Sequence, residues 1–220
     1  MLLEDVIMKF TLQVDNDNAN KDAMLNALTS EINEYMRGID NNITALIRPL
    51  VTEAIMSCYE MNSLLGGSLQ GHLGLRPGDN DYAVFAITQA VSNATYATWT
   101  PVQNKKPGRL EILVQPDNFA NLLSLRAGVN VATHKTDGEY EMEWLDWLLT
   151  LGDTPIVKGF EYQRDPTGRS GIGIMKKKDG VSWRVPPEFA GTLDDNFVTR
   201  ALDQPFIERE ITTILKKILI

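Results

Sequence analysis

Apolar and polar residues alternate from Val6 to Val14, with Met8, Phe10, Leu12 and Val14 opposite Ile7, Lys9, Thr11 and Gln13. A period of two predicts a strand. The polar run from Asp15 to Asn20 ends it and offers a helix cap. From Lys21 the period changes. Leu25, Leu28, Ile32, Tyr35, Ile39, Ile43, Leu46 and Leu50 follow at steps of three and four, one apolar stripe that predicts a helix to about Cys58. At the usual rise per residue it would be roughly 55 Å long. Gly38 weakens it, and Pro49 is expected to kink or split it near Leu46. A stripe of that length needs more cover than a small sheet gives. A neighbouring subunit is the expected source, which makes Leu28, Ile32, Ile39 and Ile43 subunit-interface candidates.

After Gly66-Gly67, Ser68 to Leu73 reads as a short helix stopped by Gly74, and Arg76-Pro77-Gly78-Asp79 as a turn. Ala83 to Val91 fits a short helix or a buried strand equally well. Thr95 to Val102 and Arg109 to Val114 flank Lys106-Pro107-Gly108 and predict a hairpin. A helical face at Phe119, Leu122 and Leu123 predicts a helix from Asp117 to Arg126, and Val129 to Thr133 suits a strand. Glu141 to Leu151 predicts a helix with Trp144, Leu145, Leu148 and Leu149 on its inner side and Gly152 as its stop. Pro155 to Gln163 and Ile172 to Lys177 predict paired strands, which Trp183 to Val185 would extend. Asp194-Asp195-Asn196 caps a short helix to Leu202, and a last helix begins near Phe206.

That last helix is amphipathic. Ile207, Ile211, Ile214 and Ile218 form its stripe, with Leu215 and Leu219 beside them and Glu208, Arg209, Glu210, Lys216 and Lys217 mainly off it. The stripe must be covered by the chain's own core or by another subunit. Its four isoleucines complete the interface candidates. The expectation is one α+β domain over residues 1–220, with a small antiparallel β-sheet core between a long N-terminal helix and a C-terminal amphipathic helix. Residues 1–75 hold a strand and the long helical region, 76–193 a β-rich core with one or two helices, and 194–220 the final helices.

Composition and charge narrow the partners. The 220 residues are 43% hydrophobic and 23% charged, with a net charge of −8, one cysteine and two histidines. Such a chain buries a core and is not disordered. No run approaches the roughly eighteen apolar residues that span a membrane, and Glu4 and Asp5 interrupt what would be a signal peptide's apolar segment. The negative excess argues against gripping nucleic-acid phosphates, which needs Lys and Arg to release counterions. The basic runs Lys105-Lys106 and Lys176-Lys177-Lys178 suit solvated hairpin tips. Cys58 has no partner in the chain, so no internal disulfide forms, and its apolar neighbours predict a buried, inert thiol.

Tests for chemistry return bland readings. His72, His134 and Cys58 lack zinc spacing. Asp15, Asp17 and Asn20 imitate a calcium loop, but Asn20 stands where glycine is needed and Asn26 where the bidentate glutamate belongs. Ser170 sits in a Gly-rich turn without a nucleophile elbow. Gly171-x-Gly173 lacks the third glycine and the helix of a dinucleotide site. Glu139, Glu141 and Glu143 read as acids at a helix start. Trp144 and Trp147 read as core or interface, while Trp99 and Trp183 leave a carbohydrate-binding face open. No catalytic residue, cofactor or metal is expected.

The order of features resembles the tail-completion, or neck, proteins of tailed bacteriophages, which join head connector to tail. The resemblance rests on the long N-terminal helix running through Ile43-Thr44-Ala45-Leu46-Ile47-Arg48-Pro49-Leu50, and on the β-rich middle. It rests also on Asp195-Asn196-Phe197-Val198-Thr199-Arg200-Ala201-Leu202 before a final amphipathic helix. Trp183-Arg184-Val185-Pro186 and Phe189-Ala190-Gly191-Thr192 share the character of phage virion proteins. The resemblance implies a non-enzymatic structural protein of the virion, assembled in the host cytoplasm. It would be a homo-oligomeric ring at the neck, touching head-connector and tail proteins, with DNA passing through its lumen unbound. Alternatives are a tail terminator, a baseplate component or a carbohydrate-binding module.

Overall fold

The computed structural model describes residues 18–103, 106–116, 118–134 and 138–219. The strand expected from Val6 to Val14 and the acids Asp15 and Asp17 lie outside the described residues. The first described element is helix α1 (Asn18–Arg37), followed after one residue by α2 (Ile39–Ser57). The break between them is at Gly38, whose φ of −92° and ψ of −11° stay close to helical values, so the two helices form one bent rod. Pro49 does not split it: α2 continues through the proline. Pro49 lies on the exposed side of α2, where the carbonyl of Ala45 that loses its N–H partner is within reach of water.

Helix α2 is the central element. Ile39, Ile43, Ile47, Val51, Ala54 and Ile55 repeat at helical spacing and are all buried. They face α5 (Asp79–Ala94), β1 (Tyr96–Thr100), α8 (Phe197–Leu202) and α9 (Pro205–Leu219). Between α2 and α5 come α3 (Tyr59–Leu64) and α4 (Ser68–Leu73). Helix α4 stops where expected, at Gly74 with φ +62°, while the Leu75 N–H reaches back to the Gln70 carbonyl. The ambiguous stretch from Ala83 is helical: Ala83, Val84, Ile87, Thr88 and Val91 turn inward at alternating steps of one and three.

The β structure is antiparallel, as expected, and is divided among three two-stranded ladders in the described residues. The predicted hairpin pairs β1 with β2 (Arg109–Leu113), with Trp99 opposite Leu110. Gly108 lies flat beneath Trp99, where a Cβ would come within 2.3 Å of the indole carbons. The next helix is shorter than its apolar face suggested: α6 spans only Ala120–Leu123, because Phe119 takes the left-handed conformation, φ 51°. A 3₁₀ turn follows at Arg126–Gly128. Strand β3 (Asn130–His134) pairs with β4 (Gly138–Met142), and α7 begins only at Trp144 and ends at Leu149. Glu139 and Glu141 therefore stand on a strand and not at a helix start, an outcome their two-residue spacing suits. Strand β5 (Val157–Arg164) pairs with β6 (Gly173–Trp183) across a bulge between Lys158 and Phe160. Lys176, Lys177 and Lys178 are inside β6 and not at a hairpin tip.

Asn196 starts α8 with a full capping box. Its side chain accepts from the Val198 and Thr199 N–H groups, and Thr199 Oγ1 accepts from the Asn196 N–H. Buried apolar side chains from Met36 to Leu215 form one connected cluster. The α+β class, the long N-terminal helical region and the amphipathic C-terminal helix all stand. The destination of α9's stripe differs from a subunit contact. Ile207, Ile211 and Leu215 are buried against the chain's own core, and Ile214 and Ile218 are half-buried on it.

Candidate functional site

The eight interface candidates separate by burial. Ile39, Ile43, Ile207 and Ile211 are core residues, because α9 lies along α2 and each covers the other's stripe. They cannot meet a second molecule without unfolding. Ile32, Ile214 and Ile218 pack partly on the same core. Leu28 alone of the eight is exposed, and it belongs to a larger bare stripe on α1. Met24 is 62%, Leu28 40% and Tyr35 56% exposed, and Leu25 is half-buried between them.

The bareness has a local cause. Among the described residues, helix α1 is fastened near its C-terminal end. Asn33 Nδ2 donates to the Val102 carbonyl at 3.1 Å, and its Oδ1 accepts from the Val102 N–H at 2.9 Å and from Trp99 Nε1 at 3.3 Å. On the other side Tyr35 Oη donates to the Ile218 carbonyl of α9 at 3.0 Å. Residues 20–31 ahead of these clasps are exposed or half-exposed throughout, so this part of α1 stands off the body as an arm. A lone helix of that length is marginal in water, and most helix stability comes from packing an apolar face.

A second surface feature lies on α2, on the side away from the core. Ala45, Arg48, Pro49, Thr52, Glu53, Met56 and Ser57 line a shallow open groove, bordered by Ser92 of α5. Thr52 Oγ1 donates to the Arg48 carbonyl at 2.8 Å and lies within hydrogen-bond distance of the Ser92 hydroxyl, 3.0 Å, which joins the two helices along the groove. Arg48 spends its guanidinium on neutral acceptors, Nε on the Thr95 carbonyl at 3.0 Å and Nη2 on the Asn93 carbonyl at 3.3 Å. Periodicity did not point to this groove, since it occupies the face that the apolar stripe leaves out. The spacing of Ala45, Pro49, Thr52 and Met56 was the available signal.

The polar clusters read as structure. Trp183 Nε1 donates to His72 Nδ1 at 3.0 Å, and the imidazole stacks on Tyr162 at 3.7 Å between ring centroids. Burial lowers the His72 pKa to about 4, against a smaller opposing pull from Glu188. The ring is thus neutral and accepts at Nδ1, which fixes the β5–β6 ladder to α4. Tyr162 fits over Gly71 and Gly173, where any Cβ would come within 2.4 Å of its ring or hydroxyl. Buried Glu60 meets Arg200 at 3.1 Å, tying α3 to α8. Burial pushes the Cys58 thiol up to about 12, which agrees with an inert side chain. Ser170 is buried and not solvated; its Oγ accepts from the Ile172 and Gly173 N–H groups at 3.3 Å each and so braces the turn before β6.

Trp183 is buried and Trp99 is half-buried with its N–H committed to Asn33, so neither offers an open platform to a sugar. Among the described residues no group of three or more His, Cys, Asp or Glu could hold a metal ion, and no helix is long and apolar enough to cross a membrane. Comparison with protein-family models, with curated proteins and with solved structures finds no match to this chain.

Proposed function

We propose that this chain is a structural virion protein of a tailed phage, a non-enzymatic ring component of the neck that joins head connector to tail around the DNA channel. The observation that carries the reading is the bare stripe of Met24 and Leu28 on an arm that stands ahead of the clasps to its own body. Exposed apolar stripes of this kind mark contacts with other molecules. The sequence resemblance supplies the identity of the assembly, and the stripe supplies a means of forming it.

The mechanism is adhesive. Burial of the arm's stripe drives association, while the internal α2–α9 core gives each subunit a fixed shape to present. The net charge of −8 favours a lumen that repels phosphates, so DNA slides through without sticking. The test is the mass of the purified full chain in solution, followed by imaging of the particles. The proposal expects rings whose channel admits duplex DNA and whose lumen is lined mainly by acids. A lumen lined by Lys and Arg would refute the sliding surface, and a one-chain mass would refute the ring.

A further inference from the structure

We infer that two copies of this chain pair along their rods, antiparallel, about a two-fold axis near Asp40. The pairing goes beyond the ring reading, since a ring built from such pairs needs a further contact of its own. It starts from a second repeat on the rod, turned away from the core. Leu28, Tyr35, Asn42, Pro49 and Met56 recur every seven residues, and Met24, Glu31, Gly38, Ala45 and Thr52 do the same in between. Gly38 keeps a near-helical backbone, so both rows run down one side of a near-continuous helix. All ten are exposed apart from half-buried Thr52. The bare stripe of α1 and the shallow groove of α2 are thus two halves of a single face. Alternating steps of three and four along a helix are the pattern by which two helices pack knobs into holes.

The length of the face points to its occupant. From Met24 to Met56 it runs about 48 Å at the usual rise per residue. Among the described residues, the α1–α2 rod is the one helical element long enough to cover it, which makes the occupant a second rod. Two such strips, each about as wide as a helix, bury on the order of 1,000 Å² in all, the size at which a specific interface becomes stable. Side-chain sizes then fix the direction. Antiparallel pairing about residue 40 sets Tyr35 against Ala45 of the second copy, Leu28 against Thr52, and Met24 against Met56. Gly38, where a Cβ would meet nothing within 4 Å, receives Asn42. A parallel pair would instead press Tyr35 on Tyr35 and Glu31 on Glu31, and leave Gly38 facing Gly38 across a void. The flanks agree with the antiparallel register. Exposed Glu34 falls beside Arg48 of the second copy, which donates to the uncharged Thr95 and Asn93 carbonyls of its own chain. Glu31, opposite Pro49, lies at nearly the level of that same Arg48. Glu53 falls on the other flank, beside Leu25 and open to water.

The test reads distance as well as mass. A nitroxide is attached at Asn41→Cys and, in a separate chain, at Ser30→Cys; both positions are exposed beside the face, and native Cys58 is buried. The parent and both labelled chains should have an even multiple of the one-chain mass. Labels at 41 should lie within about 20 Å of each other, since packed helices are 8–10 Å apart. Labels at 30 should be about 30 Å apart, an offset of some twenty residues along the rod. Ala45→Arg, at an exposed position, sets a long cation against Tyr35 and should weaken association at least tenfold while urea unfolding stays cooperative. Short distances at both sites would mean parallel rods and long ones at both a head-to-tail contact; either overturns the pair, as does an Ala45→Arg chain that associates like the parent. A ring with an odd number of chains also overturns the pair but leaves the ring reading standing. A stable two-chain particle that forms no ring supports the pair and refutes the ring. A one-chain mass for the parent, with the face bare or covered by residues 1–17, overturns both.

Discussion

His72 shows how much a single side chain can hold together. Its imidazole lies between Tyr162 and Trp183 and accepts the indole N–H, so protonation both loses that bond and places a charge in a covered site. The folded-state pKa, about 4, lies below the ordinary 6.5. A depressed histidine gives stability that is complete above the ordinary pKa and is lost as pH falls toward the folded value. Stability should therefore decline between pH 6.5 and 4, by about 2 kcal/mol from this group once partial solvent screening is allowed. Urea unfolding at stepped pH checks it, and His72→Asn, which keeps an acceptor but does not titrate there, should flatten the slope in that window. An unchanged slope would show that the decline belongs to carboxylates. None of this was legible beforehand, because His72 and Trp183 are 111 residues apart and only the fold joins them. The burial of Ser170 escaped for a related reason: its Gly-rich surroundings describe a turn but not what covers it.

Elements were legible where a local rule sets their limits. Gly74 ends α4, and Asn196 begins α8, each through chemistry confined to a few residues. Asn196→Ala removes the side-chain acceptor of the Val198 and Thr199 N–H groups, leaves the Asn196 backbone N–H bonded to Thr199 Oγ1, and should cost about 1 kcal/mol in chemical denaturation. No measurable loss would mean that packing of Phe197 and Val198 alone fixes the helix start. Limits set by competing signals were not legible. The helix expected from Glu141 starts at Trp144 because β4 claims Gly138–Met142, and α6 is cut short by the conformation of Phe119. In the long rod the stronger breaker lost. Pro49 sits on an open face that tolerates it, and the interruption moved to Gly38, where a Cβ would touch nothing within 4 Å and φ is negative. Gly38→Ala should therefore stabilise the rod by about 0.5–1 kcal/mol, read as a rise in helical signal and melting temperature. A destabilised variant would show that the bend itself is required for the fold.

At the scale of the molecule, periodicity told which faces are apolar but not what covers them. The stripe of α9 and that of α2 looked like two surfaces seeking partners, and they are each other's partner. Of the first stripe, the part on α1 that outruns the body remains bare, as does Leu46 on α2. The account therefore depends on that arm rather than on both ends of the chain. It is tested most directly by the mass of the purified full-length chain in solution, compared with Leu28→Asp at equal concentration. The account predicts a multiple of 24.6 kDa for the parent and 24.6 kDa for the variant. A single 24.6 kDa species for both, or the same larger mass for both, would contradict it.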